Sequence, residues 1–142
     1  MADPTVPVLV APIGGEQTTE KQATFFFTAP SDSDNDLLHF MLEIDSVNPP
    51  TDGNADYKKF ETRFSSDHEE GRWEFWNGTV WQLLPETGLP TAYYGTTVKC
   101  TIPKSAELTL GTWYWRIQAS DYNTSAVLYN QATFNVDVFG VS

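Results

Sequence analysis

Asp32, Asp34 and Asp36 are the first residues in this 142-residue chain whose type and spacing suggest chemistry. Carboxylates at alternate positions are hard oxygen donors that suit Ca²⁺ better than Zn²⁺. Glu43 stands twelfth from Asp32, where a helical calcium loop carries its bidentate ligand. However, Leu37 holds the sixth position, which requires Gly, so that loop type is excluded. A solvated Asp/Asn turn and a calcium site of another kind stay open. The two histidines, His39 and His68, lie in unrelated contexts, and there is no Gly-x-Ser-x-Gly elbow or phosphate-cradling loop. Cys100 is the single cysteine, which excludes an internal disulfide and a cysteine-built zinc site. It alternates with an apolar set, as a buried thiol would. Nothing in the spacing of the 19 acids selects a pair for glycoside hydrolysis. The chain is expected not to be an enzyme, and no cofactor beyond Ca²⁺ is implied.

The aromatic residues make the stronger signal. In Trp73-Glu74-Phe75-Trp76-Asn77-Gly78-Thr79-Val80-Trp81, Asn-Gly between aromatic and β-branched residues predicts a hairpin with a two-residue turn. Trp76 is then expected opposite Thr79, Phe75 opposite Val80 and Glu74 opposite Trp81. The pleat puts Trp73, Phe75 and Val80 on one side, and Trp76 and Trp81 on the other. One side can dock on a core, while the other holds two indoles that need cover, as at an interface or a ligand platform. Tyr93 and Tyr94 are candidates to join Trp76 and Trp81 in stacking on sugar rings.

Strands must position these groups. Leu38, Phe40, Leu42 and Ile44 alternate with His39, Met41, Glu43 and Asp45; Ala23, Phe25 and Phe27 alternate with Thr24, Phe26 and Thr28. Val98, Cys100 and Ile102 follow the same rule, as do Phe134, Val136 and Val138, and no segment shows a 3.6-residue stripe. Proline and glycine punctuate the runs as the turns of an antiparallel sandwich would. Residues 1–20 read as a proline-rich edge strand or extended arm. Val6, Val8 and Val10 alternate there, but Pro4, Pro7 and Pro12 remove backbone donors. Residues 21–142 read as one domain.

Charge narrows the partners. Against 19 acids stand only 8 Lys and Arg, a net charge of −11, which argues against nucleic acid and anionic membrane surfaces. The segment from Asp32 to Glu70 holds 11 acids against Lys58, Lys59 and Arg63, so −8 of the −11 sits there. No apolar run approaches the ~18–20 residues a bilayer span needs, and the opening residues are not expected to act as an export signal. Leu84-Pro85-Glu86-Thr87-Gly88 matches a cell-wall sorting motif, but with folded sequence after it the match reads as a turn. Asn77-Gly78-Thr79 and Asn123-Thr124-Ser125 fit glycosylation acceptors and likewise read as turns.

The run Leu110-Gly111-Thr112-Trp113-Tyr114-Trp115-Arg116-Ile117-Gln118-Ala119-Ser120-Asp121 resembles the F strand of fibronectin type III-like and immunoglobulin-like modules of phage virion and bacterial surface proteins. Ala29–Phe40 is similar to their B–C loop and C strand, and Ala132–Val136 to their G strand. The resemblance implies an immunoglobulin/fibronectin III-like all-β sandwich of about seven antiparallel strands, with residues 46–95 as an insertion that carries the aromatic hairpin, and with Trp113, Trp115, Ile117 and Ala119 inward and Tyr114, Arg116 and Gln118 outward. It implies B–C and F–G loops at one end, where Asp121 and Asn123 would join Asp32, Asp34 and Asp36 around Ca²⁺. It also implies a virion accessory protein, such as a capsid decoration or tail-associated module. Such a module would bind viral capsid or tail proteins, and a second copy of itself, through Val6, Val8, Val10 and the aromatic hairpin. The alternative is a carbohydrate-binding or adhesion module, secreted or on a bacterial surface.

Overall fold

The alternating runs become nine strands among the described residues of a computed structural model, which are 7–12, 22–31, 37–62, 68–109, 111–120 and 128–136. In chain order the strands are β1 (Val8–Ala11), β2 (Thr24–Thr28), β3 (His39–Asp45), β4 (Lys58–Glu61), β5 (Arg72–Trp76), β6 (Trp81–Leu83), β7 (Thr97–Thr101), β8 (Gly111–Ser120) and β9 (Leu128–Val136). They form two antiparallel sheets, of order β1-β2-β7-β5-β6 and β4-β3-β8-β9. The protein is therefore an all-β sandwich. About seven strands with an inserted hairpin were expected; nine form among the described residues, and three of them, β4, β5 and β6, lie within residues 46–95.

The core follows the two-residue period. Phe25 and Phe27 from β2, Trp73 and Phe75 from β5, and Val98 and Cys100 from β7 point inward from one sheet and are buried. Phe40, Leu42 and Ile44 from β3 meet them from the other sheet, with Trp113, Trp115, Ile117 and Ala119 from β8. Aromatic rings join the layers: Phe25 lies 5.0 Å from Trp115 and Phe27 lies 4.9 Å from Phe40, both tilted or edge-on as ring quadrupoles prefer. Phe60 and Leu84, inside the expected insertion, are also core residues.

Each deeply buried indole N–H must find an acceptor. Trp73 donates to the Glu70 carbonyl at 3.0 Å, Trp113 to Thr109 at 2.9 Å and Trp115 to Pro12 at 2.7 Å. The last bond ties the chain just beyond β1 to the opposite sheet. Residues 8–11 pair with β2 as an edge strand, Val8 beside Thr28 and Leu9 beside Phe27. The register shifts between Leu9 and Ala11, leaving Val10 out of the pairing. Leu9 packs on the core, whereas Val8 and Val10 are exposed.

The outward face of the four-stranded sheet is more covered than alternation alone predicts. Glu43 and Asp45 occupy outward positions on β3 yet are buried. Arg116 Nε sits 2.9 Å from Glu43 Oε1, Tyr57 donates its hydroxyl to Glu43 Oε2, and Arg116 also donates to the Pro50 carbonyl at 3.2 Å. Asp45 accepts from the backbone N–H groups of Ser46 (2.7 Å) and Thr51 (3.0 Å) and from the Asn54 side chain (3.0 Å). The two carboxylates pin the segment after β3 back over the sheet.

Burial pushes the Asp45 carboxyl up, but donors from Thr51, Asn54, Ser46 and Val47 outweigh it and hold the group below the usual carboxylate range. A depressed native pKa means that Asp45 stabilises the fold above its unfolded value of about 3.9. That contribution is lost as pH falls through the lower native value. Thermal melts from pH 6 down to pH 2 should show a smaller acid-side drop in Tm for Asp45→Asn than for the parent. Parallel curves would remove Asp45 from the acid response.

Candidate functional site

The outward face of the five-stranded sheet gathers the aromatic residues that the core does not take. On β5 and β6, Trp76 is paired with Trp81, Phe75 with Gln82 and Glu74 with Leu83. The expected two-residue turn is therefore corrected: the connection is the four residues from Asn77 to Val80, closed by Asn77 N–H to the Val80 carbonyl at 3.2 Å. The Asn77 side chain explains the change. Its Oδ1 accepts from the N–H groups of Thr79 (2.9 Å) and Val80 (3.0 Å), and its amide donates to Gln82 Oε1 at 3.1 Å. An asparagine that caps two later amides organises a wider loop than Asn-Gly alone. Gly78 supplies the positive φ of 100° that this loop needs.

The register differs from the expected one by two residues, and a two-residue shift leaves every side chain on its face. Trp73 and Phe75 consequently still point into the core, and Trp76 and Trp81 still point out. Val80 does not share the inner side as expected; it lies in the loop and is exposed.

Trp76 and Trp81 meet edge to face, with centroids 5.5 Å apart and planes at 67°. Trp81 reaches over the sheet toward Phe26 of β2, 6.3 Å away, and Lys99 Nζ lies 4.3 Å from the Trp81 ring centre. Glu74 anchors this cation from below at 3.8 Å and also pairs with Arg72 at 3.3 Å. Lys99 thereby covers one face of Trp81 with a partly desolvated cation–π contact. Trp76 remains 39% exposed and Leu83, its neighbour on the same face, 56%. The Thr96 hydroxyl donates to the Trp76 carbonyl and fixes the strand end.

The other expected binding residues divide. Tyr93, in the 3₁₀ turn Thr91–Tyr93, packs tilted against buried Phe75, with ring centres 4.7 Å apart, and is partly buried. Part of the Tyr93 ring thus packs against the core, as part of Tyr94 does. Tyr94 meets Val8 at a shallow depression of about 330 Å³, with Thr28, Pro30 and Gly95. Val8 and Val10 stand at the β1 edge, and the tryptophan pair stands at the β5–β6 edge of the same sheet. These edges are four strand spacings apart, about 19 Å at ~4.8 Å each. Val6 lies outside the described residues.

Asp32, Asp34, Asp36 and Asp121, the calcium candidates, also lie outside the described residues, as does Asn123. Among the described residues no group of three or more His, Cys, Asp or Glu is arranged to hold a metal. The Cys100 thiol is fully buried, and burial, aided by the charge of Glu70, raises its pKa well above the usual range. Alternation turns Phe26 and Lys99 outward, but sequence reasoning did not join them, or Leu83, to the tryptophan pair. Three consecutive phenylalanines in Phe25-Phe26-Phe27 were the available signal, since an unbroken apolar run asks for cover on both faces of a strand.

No protein-family model, curated protein or solved structure matches this chain.

The geometry separates fold from surface. Trp76→Ala removes a half-exposed ring from an edge-to-face pair and should cost about 1 kcal/mol or less. Lys99→Met should cost about 0.5–1 kcal/mol through the lost cation–π contact. Urea denaturation of both variants measures this; a loss of several kcal/mol from either would place that side chain in the core.

Proposed function

We propose that the chain is a non-enzymatic immunoglobulin/fibronectin III-like module acting as a virion accessory protein, a capsid decoration or tail-associated unit. The outward face of its five-stranded sheet would meet a viral protein partner. One observation carries this reading: Trp76, Trp81, Leu83 and Val80 form an apolar, aromatic outer surface that sandwich packing does not require. Tryptophan is the residue type most enriched where binding energy concentrates. Burying the face on a partner would contribute roughly 25 cal/mol per Å² of apolar area, reduced by the cost of association.

Strand order supports the module type. If β1, β2, β7 and β5 are taken as strands A, B, E and D, and β4, β3, β8 and β9 as C′, C, F and G, the two sheets follow the immunoglobulin arrangement, with β6 added beyond D. The virion setting rests on the resemblance of the Gly111–Asp121 segment to modules of that kind. The exposed Val8 and Val10 at the β1 edge favour a second contact, with a neighbouring subunit or a copy of this chain.

The ring geometry favours protein over sugar. A sugar-stacking platform wants open, roughly coplanar ring faces, whereas Trp81 stands at 67° to Trp76 and carries Lys99 on its surface. An antibody against the chain should find it in gradient-purified virus particles from a producing culture, and Trp76→Ala with Trp81→Ala should release it from them. Its absence from particles would overturn the virion reading. Binding on a glycan array that is lost with Trp76→Ala would replace it with the carbohydrate reading.

A further inference from the structure

Four strands form the margins of the two sheets, and three of them are guarded. β1 is four residues long between Pro7 and Pro12 with a shift in its register, β6 is three residues long, and β4 is four residues long and begins with Lys58 and Lys59. Shortness, proline, bulges and lysine are the devices that keep a sheet edge from pairing with another chain. β9 has none of them. It runs nine residues, Leu128–Val136, without proline, glycine or charge, and pairs with β8 in unbroken register from Leu128 beside Ala119 to Val136 beside Gly111. Among the described residues no strand lies beyond it. Its outer side presents a regular row of backbone N–H and C=O groups, one pair from every second residue.

Charge decides which partner can use this edge. At −11, two copies of the chain repel wherever their acids meet. β9 and residues 7–12 carry none of that charge. Acids farther than ~8 Å from them are largely screened at physiological ionic strength. β1 lies beside β9 on one side of the sandwich, so the exposed Val8 and Val10 add apolar surface next to the ladder. A second copy also brings the matching element. Antiparallel pairing of β9 with itself about a two-fold axis at Ala132 sets Leu128 opposite Val136 of the other copy and uses the whole strand. Both open edges are then consumed. The margins of the joined sheet are the two β4 strands with their lysines, so growth stops at two copies.

We propose that β9 is a dimerisation edge, which pairs antiparallel with β9 of a second copy while Val8 and Val10 of each copy flank the joint. The aromatic face lies on the other sheet, at the margin opposite β1, and stays available to a different protein. The dimer therefore does not depend on the virion reading, and the failure of either leaves the other standing. A two-fold pair would present two aromatic faces at once, which lets one assembly hold two partner sites together.

Light scattering on the full chain reads the mass. The parent should give twice the 15.9 kDa of one chain, in a concentration-dependent equilibrium with the monomer. Gln131 and Thr133 come opposite each other across the proposed axis, at register positions beside Arg116 and Tyr114. Gln131→Lys with Thr133→Lys should therefore weaken the dimer at least tenfold while the near-UV spectrum stays native. Gln131→Glu with Thr133→Glu should weaken it likewise, and mixing the two variants should restore the mass of two chains. A monomer at every concentration, a dimer indifferent to both double variants, or a mass that keeps growing with concentration would overturn the proposal. If a variant loses the native spectrum, amide hydrogen exchange of the parent decides. Protection at alternate residues of 128–136 that rises with protein concentration supports the pairing, and protection independent of concentration overturns it. A dimer lost with Trp76→Ala but kept in the β9 variants would also overturn it and place the second copy on the aromatic face.

Discussion

Burial of Trp115 is the constraint on which the rest of the sandwich depends. Its ring is fully buried at the centre of β8 and packs on Phe25 of the facing sheet, so it fixes the distance between the two layers. Its indole donor cannot be left unpaired in that environment without costing about 1–3 kcal/mol. The acceptor it finds, the Pro12 carbonyl, belongs to the chain just beyond β1. One side chain therefore couples the central strand of one sheet to the edge of the other. The N-terminal strand is held by more than its own short ladder.

A similar economy governs the outer surfaces. On the four-stranded sheet, the carboxylates of Glu43 and Asp45 find partners from β8 and from the segment 46–57, and the face closes over itself. On the five-stranded sheet the outward groups are mainly Thr, Phe and Trp, with Lys99 as the chief internal cover. Among the described residues nothing comparable to the 46–57 segment folds back over Trp76 and Leu83, both of which are exposed. The two faces of one sandwich thus differ in whether they satisfy themselves, and that difference gives the molecule a direction.

Much of this was legible in the sequence because a pleat imposes a period of two. The inward sets of β2, β3 and β7 follow from alternation alone, as does the outward placement of Trp76 and Trp81, which survives a register error of two residues; the inward set of β8 came from the resemblance of its run to an F strand. The turn type did not follow, because Asn77 satisfies Thr79 and Val80 through its side chain, and Asn-Gly statistics do not register that. The packing of Tyr93 on Phe75 was not legible because a short 3₁₀ turn has no periodicity from which to read a face. Buried Glu43 and Asp45 escaped for a related reason: cover supplied by a loop leaves no mark on the strand that it covers.

The edges of the five-stranded sheet have a consequence for self-assembly. A sandwich with an apolar outer face and open ladders at both sides is a template for fibre growth. Here β1 is four residues long with Pro7 and Pro12 just outside it, and β6 is three residues long beside a loop. Proline has no N–H to offer an incoming strand, and so few ladder positions cannot nucleate a long one. Backbone polymerisation is blocked at both margins, so the recognition left to this surface is carried by side chains, whose identity a partner can read and a fibre cannot exploit.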